Sequence, residues 1–182
     1  MIWLVIGVLL WAITHSLKRI APGLRAGMGD AGKAVVALAS VASIVLMVIG
    51  FRAAPETPLW TFGSWAVYLN NLLMLVAVAF LGAGNSKSRL RGKLRHPMLT
   101  GFLLWSVGHL LVNGDMASVV LFGGLGLWAM LAIALINRDE PAPLQFGQGT
   151  LAGDIRLGVI SVVLYAVIVG VHIWIGPSPF AV

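Results

Sequence analysis

The chain has 182 residues, 59% of them hydrophobic and only 10% charged, with 12 basic against 6 acidic side chains. A water-soluble domain carries about a quarter charged residues, so a soluble fold of this size has too little polar surface to cover its apolar content. With no cysteine, disulfides, iron–sulfur clusters, thiolate ligands and cysteine nucleophiles are excluded.

A helix crossing the hydrocarbon core needs about 20 apolar residues, within a range of about 17 to 25. The apolar runs predict six spans, at 1–17, 33–51, 65–83, 97–112, 116–136 and 157–175. The first and fourth are short. The first run, 2–13, has no basic residue in front of it and Lys18 and Arg19 behind it. A secretory signal carries its charge in front, so this run reads as a span. The length suits a single domain over 1–182.

The gaps differ in charge. The first holds Lys18, Arg19 and Arg25, with Lys33 at its edge; the third, GNSKSRLRGKLRH, holds Lys87, Arg89, Arg91, Lys93 and Arg95; the fifth holds Arg138 and Arg156. These gaps contain 11 of the 12 basic residues, and the second and fourth have only Arg52. Cytoplasmic loops collect Lys and Arg. The expectation is therefore an all-α, polytopic helical bundle with about six transmembrane helices and both termini outside. The net charge of +6 orients the chain in a lipid bilayer. No basic face interleaved with aromatics points to nucleic acid.

Asn113-Gly114-Asp115, the fourth gap, predicts a tight turn, because Asn and Gly tolerate positive φ. Spans four and five are then expected to be hairpin neighbours. Pro141, Pro143, Gly147 and Gly149 predict an irregular fifth loop. Gly101, Gly108, Gly123, Gly124 and Gly126 lie within spans, where they allow close helix packing.

Polar groups in lipid mark packing contacts or function. His15, in the last turns of span one, is either an interfacial side chain or a metal ligand. His96, between Arg95 and Pro97, either starts a helix at a basic interface or joins Arg95 in binding an anion such as a phosphate or a haem propionate. His109 lies 13 residues further on, about 20 Å along the axis. It shares one face with Phe102, Trp105 and Asn113, and Asn113 is placed to orient its ring. His172 precedes Trp174 near the outer end of span six. Asn70 and Asn71 predict hydrogen bonds between helices. No intramembrane carboxylate pair, P-loop, Gly-x-Ser-x-Gly or His-Glu-x-x-His is present, so a carboxylate proton relay and a serine hydrolase have no support.

The run Arg95-His96-Pro97-Met98-Leu99-Thr100-Gly101-Phe102-Leu103-Leu104-Trp105-Ser106-Val107-Gly108-His109 resembles the NnrU family of bacterial membrane proteins. So do Leu110 to Asp115, Leu121-Phe122-Gly123-Gly124, Thr14-His15-Ser16, Pro22 to Ala26, and His172 with Gly176-Pro177-Ser178-Pro179. The resemblance implies an inner-membrane protein associated with denitrification and the response to nitric oxide. The family is also similar to 15-cis-ζ-carotene isomerase, a multispan protein that binds haem b through two histidines and isomerises a carbon–carbon double bond. Its second ligand falls on His109, its first on His15, and its proposed alternative cysteine ligand on Ser106. Arg-His-Pro followed by Gly also resembles membrane methyltransferases, where it contacts S-adenosylmethionine; the acidic residue those enzymes use further along is missing.

The resemblance thus implies haem b as cofactor, His15 and His109 as iron ligands, and Arg95 and His96 beside the cofactor. On the expected orientation His109 lies about 18 Å in from the cytoplasmic side, and His15 about 8 Å deep if the first span reaches Ile20. His109 with His172, and His15 with His96, remain open as pairs. The competing functions are a haem protein with a redox partner, a cis–trans isomerase of a lipid-soluble polyene with Phe102, Trp105 and Trp128 lining its cleft, a methyltransferase, and a cofactor-free assembly factor.

Overall fold

The computed structural model describes residues 1–141, 149–176 and 178–180. Pro143 and Gly147 of the expected fifth loop, and Pro177, lie outside them. The described residues are mostly helical: α1 (Ile2–Ile20), α2 (Pro22–Gly27), α3 (Ala31–Arg52), α4 (Ser64–Ala83), α5 (Arg89–Lys93), α6 (Pro97–Val112), α7 (Met116–Ser118), α8 (Gly124–Asp139) and α9 (Leu151–Ile175). A π-helical turn, Val119–Gly123, joins α7 to α8 without a break.

All six expected spans are helices. Five helical segments, the first of them α1 and the fourth running from Met116 to Asp139, are long and apolar enough to cross a bilayer, while α6, at 16 residues, is shorter. Helix α1 runs through Lys18 and Arg19 to Ile20, so these cations form its last turn. There they complement the negative end of the helix dipole. Pro22 opens α2, and the residue before a proline resists the helical conformation; Ala21 accordingly sits at φ −141°. Gly29, at φ +53°, reverses the chain between α2 and α3, a conformation open to glycine at little cost.

The chain divides into two compact units, residues 1–60 with 114–139 and residues 61–113 with 140–182. In the first, α1 packs on α3 and on α8. A Cβ on Gly50 would stand 2.2 Å from the Leu4 amide nitrogen, and one on Gly7 2.8 Å from that of Met47. Small residues here let two backbones approach closely. In the second unit α4 packs on α6 and on α9. A Cβ on Gly101 would meet the Ala77 carbonyl at 2.7 Å, and one on Gly108 the Asn70 Oδ1 at 2.9 Å. Gly101 and Gly108 thus do what the sequence predicts.

Within each unit, even gaps meet even gaps and odd gaps meet odd gaps. In the first unit the second and fourth gaps join: the Leu59 and Trp60 amides donate to the Gly114 carbonyl, and the Met116 amide to that of Thr57. At its other end Arg19 pairs with Asp139 at 3.5 Å. In the second unit the third gap joins the first turn of α9, which the sequence places in the fifth gap, through Asp154. Its carboxylate accepts from the Ser88 hydroxyl at 2.7 Å, the Arg89 amide at 2.8 Å and the Arg89 guanidinium. Gly149 and Gly153 lie against the backbone of Lys87 to Arg89, leaving no space for a Cβ. This is the pairing that alternate crossing of a slab requires.

The fourth gap corrects an expectation. Asn113 has φ −122° and Asp115 φ −123°, and Gly29 is the one described residue with positive φ. Asn113-Gly114 therefore forms no left-handed turn. The backbone is drawn out to pair with residues 57–60, and Gly114 is needed because a Cβ would strike the Trp60 carbonyl. Helix α6 belongs to the second unit, where it packs on α4, and α8 to the first, where it packs on α1.

Burial departs from that of a water-soluble protein: small polar residues lie inside beside apolar ones such as Leu4, Ala77 and Leu125, and large apolar residues lie outside. Thr14, Ser16, Ser43, Asn70, Ser106, Ser118 and Ser161 are buried, while Leu38 (71%), Tyr68 (70%) and Trp174 (84%) stand exposed among dozens of large apolar side chains. Helix α9 buries only Gly153, Leu157 and Ser161. Such surface aggregates in water but is solvated by lipid tails, and small polar residues are what membrane helices use to pack. The protein is a multi-pass membrane protein.

Candidate functional site

Three histidines share one local device. In His15, His109 and His172 the ring Nδ1 lies 2.9 Å from the carbonyl oxygen four residues earlier, that of Trp11, Trp105 and Ile168 respectively. A carbonyl only accepts, so Nδ1–H is the donor, and in the neutral ring Nε2 keeps the lone pair. Metal-bound histidines are typically oriented in this way, with the second nitrogen tied to a carbonyl or carboxylate. Each ring is therefore preset to offer Nε2.

The surroundings differ. His15, in the first unit, stacks on the Trp11 indole at 3.8 Å and 24°, and meets the edge of Trp128 at 5.5 Å and 72°. Trp11 and Trp128 contact each other edge to face at 5.7 Å. The buried Trp128 side chain closes one side of this cluster, and the histidine itself is exposed.

His109, in the second unit, is half-buried. Its ring centroid is 5.0 Å from that of Trp105, which is 5.0 Å from that of Phe102. The expected aromatic face of α6 is present. Asn113 acts differently from expectation: its amide donates to the His109 backbone carbonyl at 2.9 Å. The ring is oriented by the Trp105 carbonyl instead. His172, also in the second unit, is exposed.

Arg95 and His96 have backbone-linked roles. The Arg95 guanidinium donates to the carbonyls of Glu140 and Pro141, tying the third gap to the fifth. His96 precedes the first residue of α6, and its carbonyl accepts from the Thr100 amide and hydroxyl. Asn71 bridges helices as expected: its amide donates to the Pro179 carbonyl at 3.0 Å, and its oxygen accepts from Tyr165 at 3.2 Å. Asn70 does not; its buried Oδ1 has no partner among the described residues. Ser106, at the position of the isomerase cysteine, is buried in α6.

Two features are not anticipated from sequence. One is the Ser88–Arg89–Asp154 joint. The other is that Trp-x-x-x-His occurs twice, as Trp11 to His15 and Trp105 to His109. The second was visible as a spacing, since residues four apart share a helix face.

Among the described residues, no three His, Cys, Asp or Glu side chains gather as metal ligands. The donors are single histidines, a set suited to a macrocycle that brings its own four nitrogens and takes one or two axial ligands.

No curated protein and no solved structure matches the chain. The family model described as NnrU protein matches residues 3–179, nearly the full length, and the chain belongs to the NnrU family.

Proposed function

We propose that this NnrU-family membrane protein binds haem b in the bacterial inner membrane and serves denitrification and the response to nitric oxide, with Nε2 of His15 and of His109 as iron ligands. The observation that supports this reading is the shared orientation of the two rings, each locked through Nδ1–H to the carbonyl of a tryptophan one turn earlier. This orientation gives the iron the basic nitrogen and fixes the ring plane.

Haem would supply the redox couple and a coordination position for a small ligand, and the protein would tune both through its axial ligands and the polarity around them. Trp11 and Trp128 shield two sides of the His15 ring, and Trp105 shields one side of His109. Arg95 and His96 would stand beside the cofactor: two carbonyls accept from the Arg95 guanidinium, and its buried Nε–H has no partner among the described residues.

An absorption spectrum of the protein purified in mild detergent from haem-sufficient cells tests the proposal. A Soret band that sharpens on reduction with dithionite, and equimolar pyridine haemochrome, are expected. A colourless protein that takes up no added haemin overturns it. Incubation of haem-loaded protein with a poly-cis carotene separates the isomerase reading, which requires a change in double-bond geometry.

A further inference from the structure

An open cavity of about 350 Å³ lies in the first unit where the end of α1 meets α2 and the start of α3. Lys18, Arg25 and Lys33 line it, and no acidic residue does. Asp30 stands nearby, 3.8 Å from the Lys33 ammonium, with both side chains exposed. Exposed pairs of this kind contribute little, so the cavity keeps a strong positive balance.

The cations are partly pre-placed. One guanidinium nitrogen of Arg25 donates to the Gly29 carbonyl at 3.4 Å, and the group lies so close to Gly32 that a Cβ there would strike it. The other N–H groups of the fork remain for a ligand; a guanidinium has five such donors. Lys18 has no hydrogen-bond or ion-pair partner among the described residues. Leu17 and Val36 form an apolar part of the wall, and Thr14 adds a hydroxyl. The cavity thus presents cations and an apolar flank together at the end of a membrane-spanning helix.

The geometry points to a binding site for a phosphate ester anion, carried by a lipid head group or by a small solute. Basic pockets between helices at a membrane surface bind anionic head groups, with about 1 kcal/mol for each Lys or Arg near the surface. The apolar flank favours the lipid source, because a free anion gains nothing from Leu17 or Val36. This site is inferred without the haem reading, although His15, a proposed iron ligand, also borders the cavity.

Native mass spectrometry of the detergent-purified full chain, with phosphatidylglycerol and phosphatidylcholine added in equal amounts, tests the site. Melting curves in millimolar inorganic phosphate run in parallel. Selective retention of phosphatidylglycerol is expected, reduced about fivefold for each charge removed in Lys18→Gln and Arg25→Gln. The pair Lys18→Arg with Arg25→Lys should retain the lipid and report that the fold is intact. Stabilisation by inorganic phosphate without lipid selectivity would assign the site to a solute. Equal retention of both lipids with no response to phosphate overturns the proposal, as does full selectivity in the Lys18→Gln, Arg25→Gln double variant. Loss of haem without loss of lipid in that double variant would also overturn it, by giving the cavity to the haem propionates.

Discussion

His15 is exposed between two indoles, whereas His109 is half-buried at the end of a ring series along α6. Yet the same bond, from Nδ1 to the carbonyl one turn earlier, holds both. The bond needs only a helix and a histidine on it. The surroundings need a second helix: Trp128 reaches His15 from α8, while Trp105 lies on the same helix as His109. Local chemistry sets the orientation of each candidate ligand, and tertiary packing sets its polarity.

The glycines that let helices pack closely within each unit give the largest expected effect. Gly50→Leu in the first unit and Gly101→Leu in the second each drive a side chain into neighbouring backbone. Each should cost about 3 kcal/mol or more, read as loss of cooperative melting in detergent. Gly170→Leu, where nothing lies within 4 Å, should melt like the parent; equal damage at all three sites would show that backbone approach is not what packs these helices.

Trp128→Ala comes next. It removes two edge contacts, each worth about 0.5–1.5 kcal/mol beyond burial, and uncovers His15. A melting-temperature drop with faster modification of His15 by diethyl pyrocarbonate is expected. Unchanged His15 reactivity would mean that the indole does not shield the ring. A smaller effect belongs to Asp115→Ala. The Asp115 carboxylate accepts from the Ser118 amide at 2.9 Å and hydroxyl at 2.6 Å, a helix cap worth about 1 kcal/mol. A melting curve that does not move would contradict that role. The smallest is Gly158→Ala, at an open helical position of α9, which should raise stability by up to about 1 kcal/mol.

Much of the fold was legible in the sequence. The run lengths located all six helices; α1 runs on through Lys18 and Arg19 to Ile20, and α9 starts at Leu151 instead of the expected 157. The grouping of helices was not legible. In lipid the face toward a neighbour and the face toward the acyl chains are both apolar, so hydropathy does not mark the packing side. Asn113-Gly114 misled for a related reason. Its dipeptide preference describes an isolated turn, while here residues 57–60 capture the Gly114 and Met116 backbone. At the site, the Phe102–Trp105–His109 face followed from helical spacing. The contact of Trp128 with His15 spans more than a hundred residues and leaves no local trace.

The most direct test of the ligand assignment compares Soret absorption of the parent with His15→Ala, His109→Ala and His172→Ala variants that melt cooperatively. Loss or a large shift of the band in the His15 and His109 variants, with the His172 variant unchanged, is the predicted result. A band unaltered in both the His15 and the His109 variants would contradict it.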